Sequence, residues 1–258
     1  MFSSNPSALP DPTHWAVFLG LATLVVFLGR VAWRDLRRPD RVPDDAGPDP
    51  RVPLFRDTTG SLWLVCAITA GAWLLAGGGW ASLGFMTGSG LGGAMAWTIA
   101  VLGAFFLAAQ RRSVERSPEV RGRYAAQVEA ATGYDWVWPT TPGEYRYFTA
   151  MAVTAGITEE VIFRGFLIGV LALWLPLWVA AGVALLVFVG AHIYQGSSGM
   201  VRILPVSAVL TFLFLISGSL LPGILLHCAV DLAGGAILWI LRDRREPSGA
   251  PQPIRSHS

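Results

Sequence analysis

Three ionisable side chains, Glu159, Glu160 and Arg164, lie inside an otherwise apolar run from about Phe148 to Trp174. A charge within a membrane span is costly unless it faces the bundle interior or a wet cavity and finds a partner, so such residues are functional candidates. Residues four apart lie above one another on a helix, which predicts that Glu160 pairs with Arg164. Glu159 points roughly 100° away around the axis. We interpret Glu159 as the carboxylate free for acid–base chemistry; the alternative is a purely structural ion pair between helices.

Two of the four histidines also lie in apolar spans. His192 ends the stretch Phe188-Val189-Gly190-Ala191-His192, and His227 precedes Asp231 by four residues, so that these two share one helix face. A lone intramembrane histidine is more often a packing residue than a catalyst. Here, however, three separate helices contribute carboxylates, imidazoles and a guanidinium, which are the groups that an acid–base site in lipid needs.

The composition indicates a membrane protein, so these helices must cross the bilayer. Of 258 residues, 53% are hydrophobic and only 14% are charged, and the mean hydropathy is +0.52; these values exclude an ordinary soluble domain. All 19 basic residues are arginine and the net charge is only +2, with no basic face outside lipid spans that would indicate nucleic-acid binding. Cys66 and Cys228 fall within apolar spans without metal-type spacing.

Apolar runs long enough to cross about 30 Å of hydrocarbon predict an all-α, polytopic transmembrane helical bundle of about seven spans. The predicted spans are Trp15–Trp33, Ser61–Gly77, Gly92–Ala109, Tyr147–Leu171, Trp174–Ala191, Arg202–Ser217 and Leu221–Leu241. We divide the chain into residues 1–146, with three helices and Arg-rich cytoplasmic loops, a catalytic membrane core at 147–241, and a disordered cytoplasmic tail at 242–258.

The arginines lie asymmetrically in the loops, which predicts an outside N-terminus and a cytoplasmic C-terminus. The segment Pro39–Pro53 is rich in Pro and Asp and is interpreted as an irregular cytoplasmic loop. The segment Ser113–Thr132 has a helical composition and is expected either on the membrane surface or as a solvated helix.

The motif order Glu-Glu-x-x-x-Arg, Phe-x-x-x-His and His-x-x-x-Asp, each on its own helix, resembles the CAAX-protease and bacteriocin-processing family of intramembrane endopeptidases, which includes the type II CAAX prenyl proteases. Residues Glu159–Leu167 fit the first motif closely, and the resemblance covers Tyr147–Leu241. It implies a helical-bundle protease with a cavity open to the membrane and the cytoplasm.

The resemblance also implies roles for the six residues. Glu159 would activate water as the general base, and His192 would hold or polarise that water. His227, with Asp231 beside it, would stabilise the oxyanion, and donors in a dry surround are effective in this role. Glu160 and Arg164 would form the structural pair.

Asp231 departs from the asparagine that many members carry at this position. An ionised Asp231 would repel an oxyanion, so it must be protonated, hold His227 in the required tautomer, or ligate a metal. The last option keeps a zinc site open: His192, His227 and a carboxylate, with Glu159 as a candidate, would give three ligands and leave one position for water. No other cofactor is expected, and the sequence lacks His-Glu-x-x-His.

The expected substrate is a hydrophobic or lipid-anchored, CAAX-like peptide that enters from the bilayer, and the expected location is a bacterial cytoplasmic membrane. Two other functions stay open: a proton-coupled transporter, because buried acids and histidines also form relays, and a catalytically silent immunity or scaffold protein. His192 and His227 are predicted near opposite membrane faces. They can meet only if the helix ending at His192 stops inside the membrane or the segment Tyr194–Gly199 turns back into a cavity.

Overall fold

The chain folds into a bundle of helices, and no β-strand occurs in the parts that the computed structural model describes, residues 7–36, 51–129 and 138–242. In chain order the helices are α1 (Trp15–Leu36), α2 (Arg51–Leu75), α3 (Gly90–Arg116), α4 (Pro118–Glu129), α5 (Pro142–Glu159), α6 (Gly169–Leu171), α7 (Leu177–Ala191), α8 (Gly196–Ser217) and α9 (Leu221–Leu241). A π-helical segment, Glu160–Ile168, joins α5 to α6, and a 3₁₀ turn, Ile193–Gln195, joins α7 to α8. Every predicted span contains one of these elements, which confirms the all-α class.

Five of the helices, α1, α2, α3, α8 and α9, are long and apolar enough to cross a membrane. The run from α5 through the π segment to α6 is continuous, whereas α7 has only 15 residues. Large apolar side chains point outward on several helices; Leu91, Phe105 and Trp178 are each more than 70% exposed. Such an apolar exterior suits lipid rather than water, and the polytopic membrane bundle predicted from the sequence is confirmed.

Some helix boundaries differ from the prediction. Helix α2 begins at Arg51 rather than Ser61, so that Arg51–Pro53, predicted as part of an irregular loop, is helical. A proline is tolerated there because the first turn has no intrahelical partner for its missing N–H. Helix α8 begins at Gly196 rather than Arg202. The rest of the predicted loop and the predicted tail from residue 243 onward lie outside the described residues.

The helix predicted over Tyr147–Leu171 is not a single α-helix, because its backbone changes to π-helical at Glu160. All nine residues of the π segment are buried. The segment packs closely against the connection between α2 and α3: a Cβ on Gly165 would lie 2.7 Å from the carbonyl oxygen of Leu83. π-Helical turns are rare and frequently mark functional sites, and this one contains the first motif from Glu160 onward.

The helices that carry the three motifs are neighbours. Helix α9 packs against α3, α5 and α8, and α7 packs against α8 and the π segment. The largest core cluster joins α1, α2, the π segment and α7 around Trp73, Ile162 and Phe166. The connection between α2 and α3 closes one end of this arrangement, where Leu83 is fully buried and the Leu220 N–H donates to the Gly84 carbonyl at 2.9 Å.

Helix α4, which lies in the segment Ser113–Thr132 expected on the membrane surface or as a solvated helix, packs one face against the bundle. Ala125 on α4 is buried with Val114 on α3 and with Ile237 and Leu241 at the end of α9. The apolar positions of α4 therefore cover the last turns of α9. Residues 130–132 of the predicted helix lie outside the described residues.

Candidate active site

Glu160, the first residue of the π segment, is the centre of a buried polar network. Its side chain is 1% exposed, and its Oε1 atom accepts from Arg164 Nη1 at 3.0 Å and lies 2.7 Å from His227 Nδ1. An ionised carboxylate has no proton to donate, so the His227 Nδ1–H is the donor. The pairing expected between Glu160 and Arg164 is present. Glu160 also binds the histidine of the third motif, which helix geometry alone did not predict.

Arg164 is held by three different elements of the bundle. Besides Glu160, its Nη2 atom donates to Ser207 Oγ at 2.8 Å and to the Ser207 carbonyl oxygen at 3.3 Å. The guanidinium carbon lies 4.3 Å from the centre of the Phe188 ring, a cation–π arrangement. This buried cation therefore has a charged partner, a polar partner and an aromatic face, which offset the cost of taking it out of water.

The second ring nitrogen of His227 faces the two carboxylates that remain. Its Nε2 atom lies 3.8 Å from Glu159 Oε2 and 3.7 Å from Asp231 Oδ2. Both distances exceed a hydrogen bond, and both leave the atoms close enough for one water to contact His227 together with either acid. The side chains of Glu159 and Asp231 are 13% and 32% exposed, against 1% for Glu160. The accessible acids and the buried acid therefore lie on opposite sides of one imidazole.

His192 lies at the end of α7, where the helix gives way to the 3₁₀ turn. Its Nδ1–H donates to the Phe188 carbonyl at 2.9 Å, which leaves Nε2 as the unprotonated nitrogen of the neutral ring. Among the described residues, His192 makes no hydrogen bond or ion pair to the other predicted site residues. The Phe188 ring links the two histidines, with centroid distances of 4.6 Å to His192 and 6.1 Å to His227.

Helix α7, Leu177–Ala191, is shorter than the span predicted over Trp174–Ala191. Fifteen residues rise about 22 Å, less than the roughly 30 Å of a hydrocarbon core. The length of α7 therefore agrees with one of the two expected routes, a helix that ends inside the membrane at His192.

Two glycines let α9 approach the first motif closely. A Cβ on Gly223 would lie 3.0 Å from Glu160 Oε2, and a Cβ on Gly156 would lie 2.4 Å from Cys228 Sγ and 2.9 Å from the Cys228 backbone nitrogen. Without these close approaches the distance from His227 to Glu160 would lengthen. The glycines thus set the spacing of the buried network.

The zinc option does not fit the described residues, because no three His, Cys, Asp or Glu side chains among them are grouped to hold a metal ion. His227 Nε2 and Glu159 approach one another, but His192 does not join them as a third ligand.

Sequence reasoning missed three contributors to the site. Phe188 belongs to the quoted Phe-x-x-x-His motif, but nothing in the motif indicated that its ring contacts Arg164 and both histidines. Gly223 lies one helical turn before His227, and this spacing places it on the same helix face as the histidine. No sequence pattern marks Ser207 as a site residue, because serines occur elsewhere in the spans. Its contact with Arg164 joins residues that are distant in sequence.

Comparison with known proteins gives one family match. Residues 141–233, which are 93 of the 258, match the family model described as type II CAAX prenyl endopeptidase Rce1-like. The match begins at the N-cap of α5 and includes all six predicted site residues, whereas α1 to α4 lie outside it. No curated protein and no solved structure matches the chain significantly.

The resemblance seen in the motifs is therefore confirmed for this segment, and the helices around it make the chain a multi-pass membrane protein. Residues 141–233 carry a domain similar to the Rce1-like type II CAAX prenyl endopeptidases.

Proposed function

We propose that the chain is an intramembrane endopeptidase in which Glu159 activates the water that cleaves a peptide bond. The observation that carries this proposal is the difference between the two adjacent glutamates. Glu160 is buried and bound to Arg164 and His227, whereas Glu159 makes no hydrogen bond with any described residue and is partly accessible. A general base must be free to take a proton and within reach of the reacting water.

In the proposed reaction, Glu159 removes a proton from water while the water oxygen attacks the carbonyl carbon of the scissile bond. The resulting oxyanion receives a hydrogen bond from Nε2–H of protonated His227. Glu159 then delivers its proton to the amide nitrogen, and the C–N bond breaks to give a carboxylic acid and an amine, between which a proton passes to form carboxylate and ammonium. A donor fixed before the reaction is more effective than one that must reorient, and the bond from His227 to Glu160 fixes this donor.

The remaining groups have supporting roles in the proposal. The free Nε2 of His192 is an acceptor that orients the attacking water. Asp231 lies too far from His227 for a direct hydrogen bond, so that its proposed role is to contact water or substrate. No step requires a metal, and cleavage should persist in the presence of a zinc chelator.

The proposed substrate is a hydrophobic or lipid-anchored peptide of the CAAX type, supported by the matching family and by the apolar exterior of the helices. We further propose a bacterial cytoplasmic membrane as the location, with the N-terminus outside and the C-terminus inside, because the arginines concentrate in alternate loops. Reporter fusions at the two termini test this orientation. An N-terminal fusion that is active in the cytoplasm would contradict it.

The experiment compares the purified wild type with Glu159→Gln in proteoliposomes, on a prenylated Cys-a-a-X peptide and on its unmodified counterpart. We expect cleavage by the wild type alone, at a rate that 1,10-phenanthroline does not change. Cleavage by Glu159→Gln at the wild-type rate would overturn the assignment of the base. Loss of cleavage with phenanthroline, restored by zinc, would overturn the metal-independent mechanism.

A further inference from the structure

Ser207 lies on α8, a helix that carries none of the three motifs, yet it contacts the buried arginine of the first one. The serine is fully buried. Its hydroxyl oxygen accepts from Arg164 Nη2 at 2.8 Å, and its carbonyl oxygen accepts from the same nitrogen at 3.3 Å. Among the described residues, Nη2 makes hydrogen bonds to Ser207 alone, while Nη1 donates to Glu160.

From Arg164 the contacts continue directly to the reacting side of the site. Arg164 Nη1 and His227 Nδ1 both donate to the same oxygen, Oε1 of Glu160, at 3.0 and 2.7 Å. A rotation of the guanidinium therefore changes both the position of that oxygen and the charge that it presents to His227. The chain of contacts runs from Ser207 through Arg164 and Glu160 to His227, across α8, the π segment and α9.

We propose that Ser207 is a positioning residue: by holding Nη2 of Arg164, it fixes Glu160 and thereby the orientation of His227. The consequence for turnover rests on the proposed protease function. The proposed orientation of His227 does not rest on that function, since it follows from the contacts alone.

The same helix offers a matched control one turn away. Thr211 is 6% exposed, and its hydroxyl has no hydrogen-bond partner among the described residues. Threonine and valine have nearly the same shape, so that a change from one to the other removes a hydroxyl and little else. The test therefore compares Ser207→Thr with Ser207→Val, and the wild type with Thr211→Val.

We expect Ser207→Val to lower kcat roughly tenfold relative to Ser207→Thr, the size of effect that follows from losing one hydrogen bond to a charged group. KM should not change, because Ser207 is buried and its contact is with Arg164. Thr211→Val should stay within about twofold of the wild type, since no hydrogen bond is lost. If the added methyl group prevents folding of both variants at 207, Ser207→Ala, which adds no atom, replaces them and is compared with the wild type.

The second readout needs no activity. In protein labelled with ¹⁵N at its four histidines, the Nδ1 proton of His227 should give a hydrogen-bonded resonance that shifts in Ser207→Val and not in Thr211→Val. If Glu159→Gln abolishes cleavage but Ser207→Val has the same kcat as Ser207→Thr, the proposal is overturned. If the wild type cleaves nothing, the protease function fails, and the resonance alone decides: a shift supports positioning of His227 by Ser207, and no shift overturns it.

Discussion

The Nδ1 atom of His227 lies 2.7 Å from Oε1 of Glu160, so that the second glutamate of the first motif binds the histidine of the third. This contact gives Glu160 two tasks: it neutralises Arg164 and it orients an imidazole whose other nitrogen faces Glu159 and Asp231. The two adjacent glutamates therefore approach the same histidine, one at each ring nitrogen. The first is partly exposed, and the second is buried.

This arrangement predicts unequal losses of stability for the same substitution at adjacent positions. Glu160→Gln leaves Arg164 without its counter-charge in a buried site, and breaking such a pair costs about 3 kcal/mol or more. Glu159→Gln removes no hydrogen bond with a described residue and should cost less than about 1 kcal/mol. Thermal unfolding of both variants in the same detergent measures the difference.

Activity completes that comparison, because both variants should be inactive and only Glu159→Gln should keep the stability of the wild type. Equal loss of stability in the two variants would show that Glu159 is also a structural residue. Retained activity in Glu160→Gln would show that His227 needs no anchor.

The sequence predicted the ion pair between Glu160 and Arg164 and the shared face of His227 and Asp231, because both depend only on residues four apart. It could not predict the contact between Glu160 and His227, which depends on the close approach of two helices at Gly156 and Gly223. It also could not predict the π segment, since its residues are ordinary helix and core formers and the change of hydrogen-bonding pattern follows from tertiary packing. Ser207 was missed because one serine in an apolar helix resembles any other until its neighbour across the bundle is known.

A second prediction concerns Asp231, which lies 3.7 Å from His227 Nε2 and is the most exposed carboxylate of the site. Because Glu160 already fixes the ring of His227, Asp231 is not required to hold its tautomer. Asp231→Asn, which keeps the shape and the capacity to hydrogen-bond water, should retain kcat within about tenfold. Asp231→Ala, which loses that capacity, should fall further. If both variants are equally inactive, a negative charge at this position is essential, and the proposed contact with water is insufficient.

Adjacent glycines in α9 provide a third prediction about helix packing. A Cβ on Gly235 would lie 2.1 Å from the Phe148 ring, whereas a Cβ on Gly234 would meet nothing within 4 Å. Gly235→Ala should destabilise the protein by about 1–3 kcal/mol through overpacking. Gly234→Ala should be neutral or stabilising by about 0.5–1 kcal/mol, because alanine costs less backbone entropy in a helix. Unfolding midpoints in detergent measure both, and equal effects would contradict the packing of α5 against α9.

The final prediction concerns pH and the start of α5, outside the predicted spans. Glu144 is buried, and its carboxylate accepts from the Thr140 N–H at 2.8 Å and the Thr141 hydroxyl at 3.0 Å, with Arg51 Nη1 at 3.8 Å. Burial alone would raise the pKa of Glu144, but these hydrogen bonds and the Arg51 charge together lower it below its ordinary value of 4.5.

Because the pKa of Glu144 is lower in the folded chain, the unfolded chain binds a proton first as the pH falls. The stabilisation by Glu144 is therefore complete above its unfolded pKa and is lost as the pH falls through the folded value. Glu144→Gln should be less stable than the wild type at neutral pH and should lose less stability between about pH 5 and pH 3. Unfolding in detergent across this range measures the slopes. Glu119→Gln serves as the control, because it removes a carboxylate that is 84% exposed on α4, and its stability should change with pH as that of the wild type does. If the stability of Glu144→Gln changes with pH as steeply as that of the wild type, the cap at Glu144 contributes nothing to acid sensitivity.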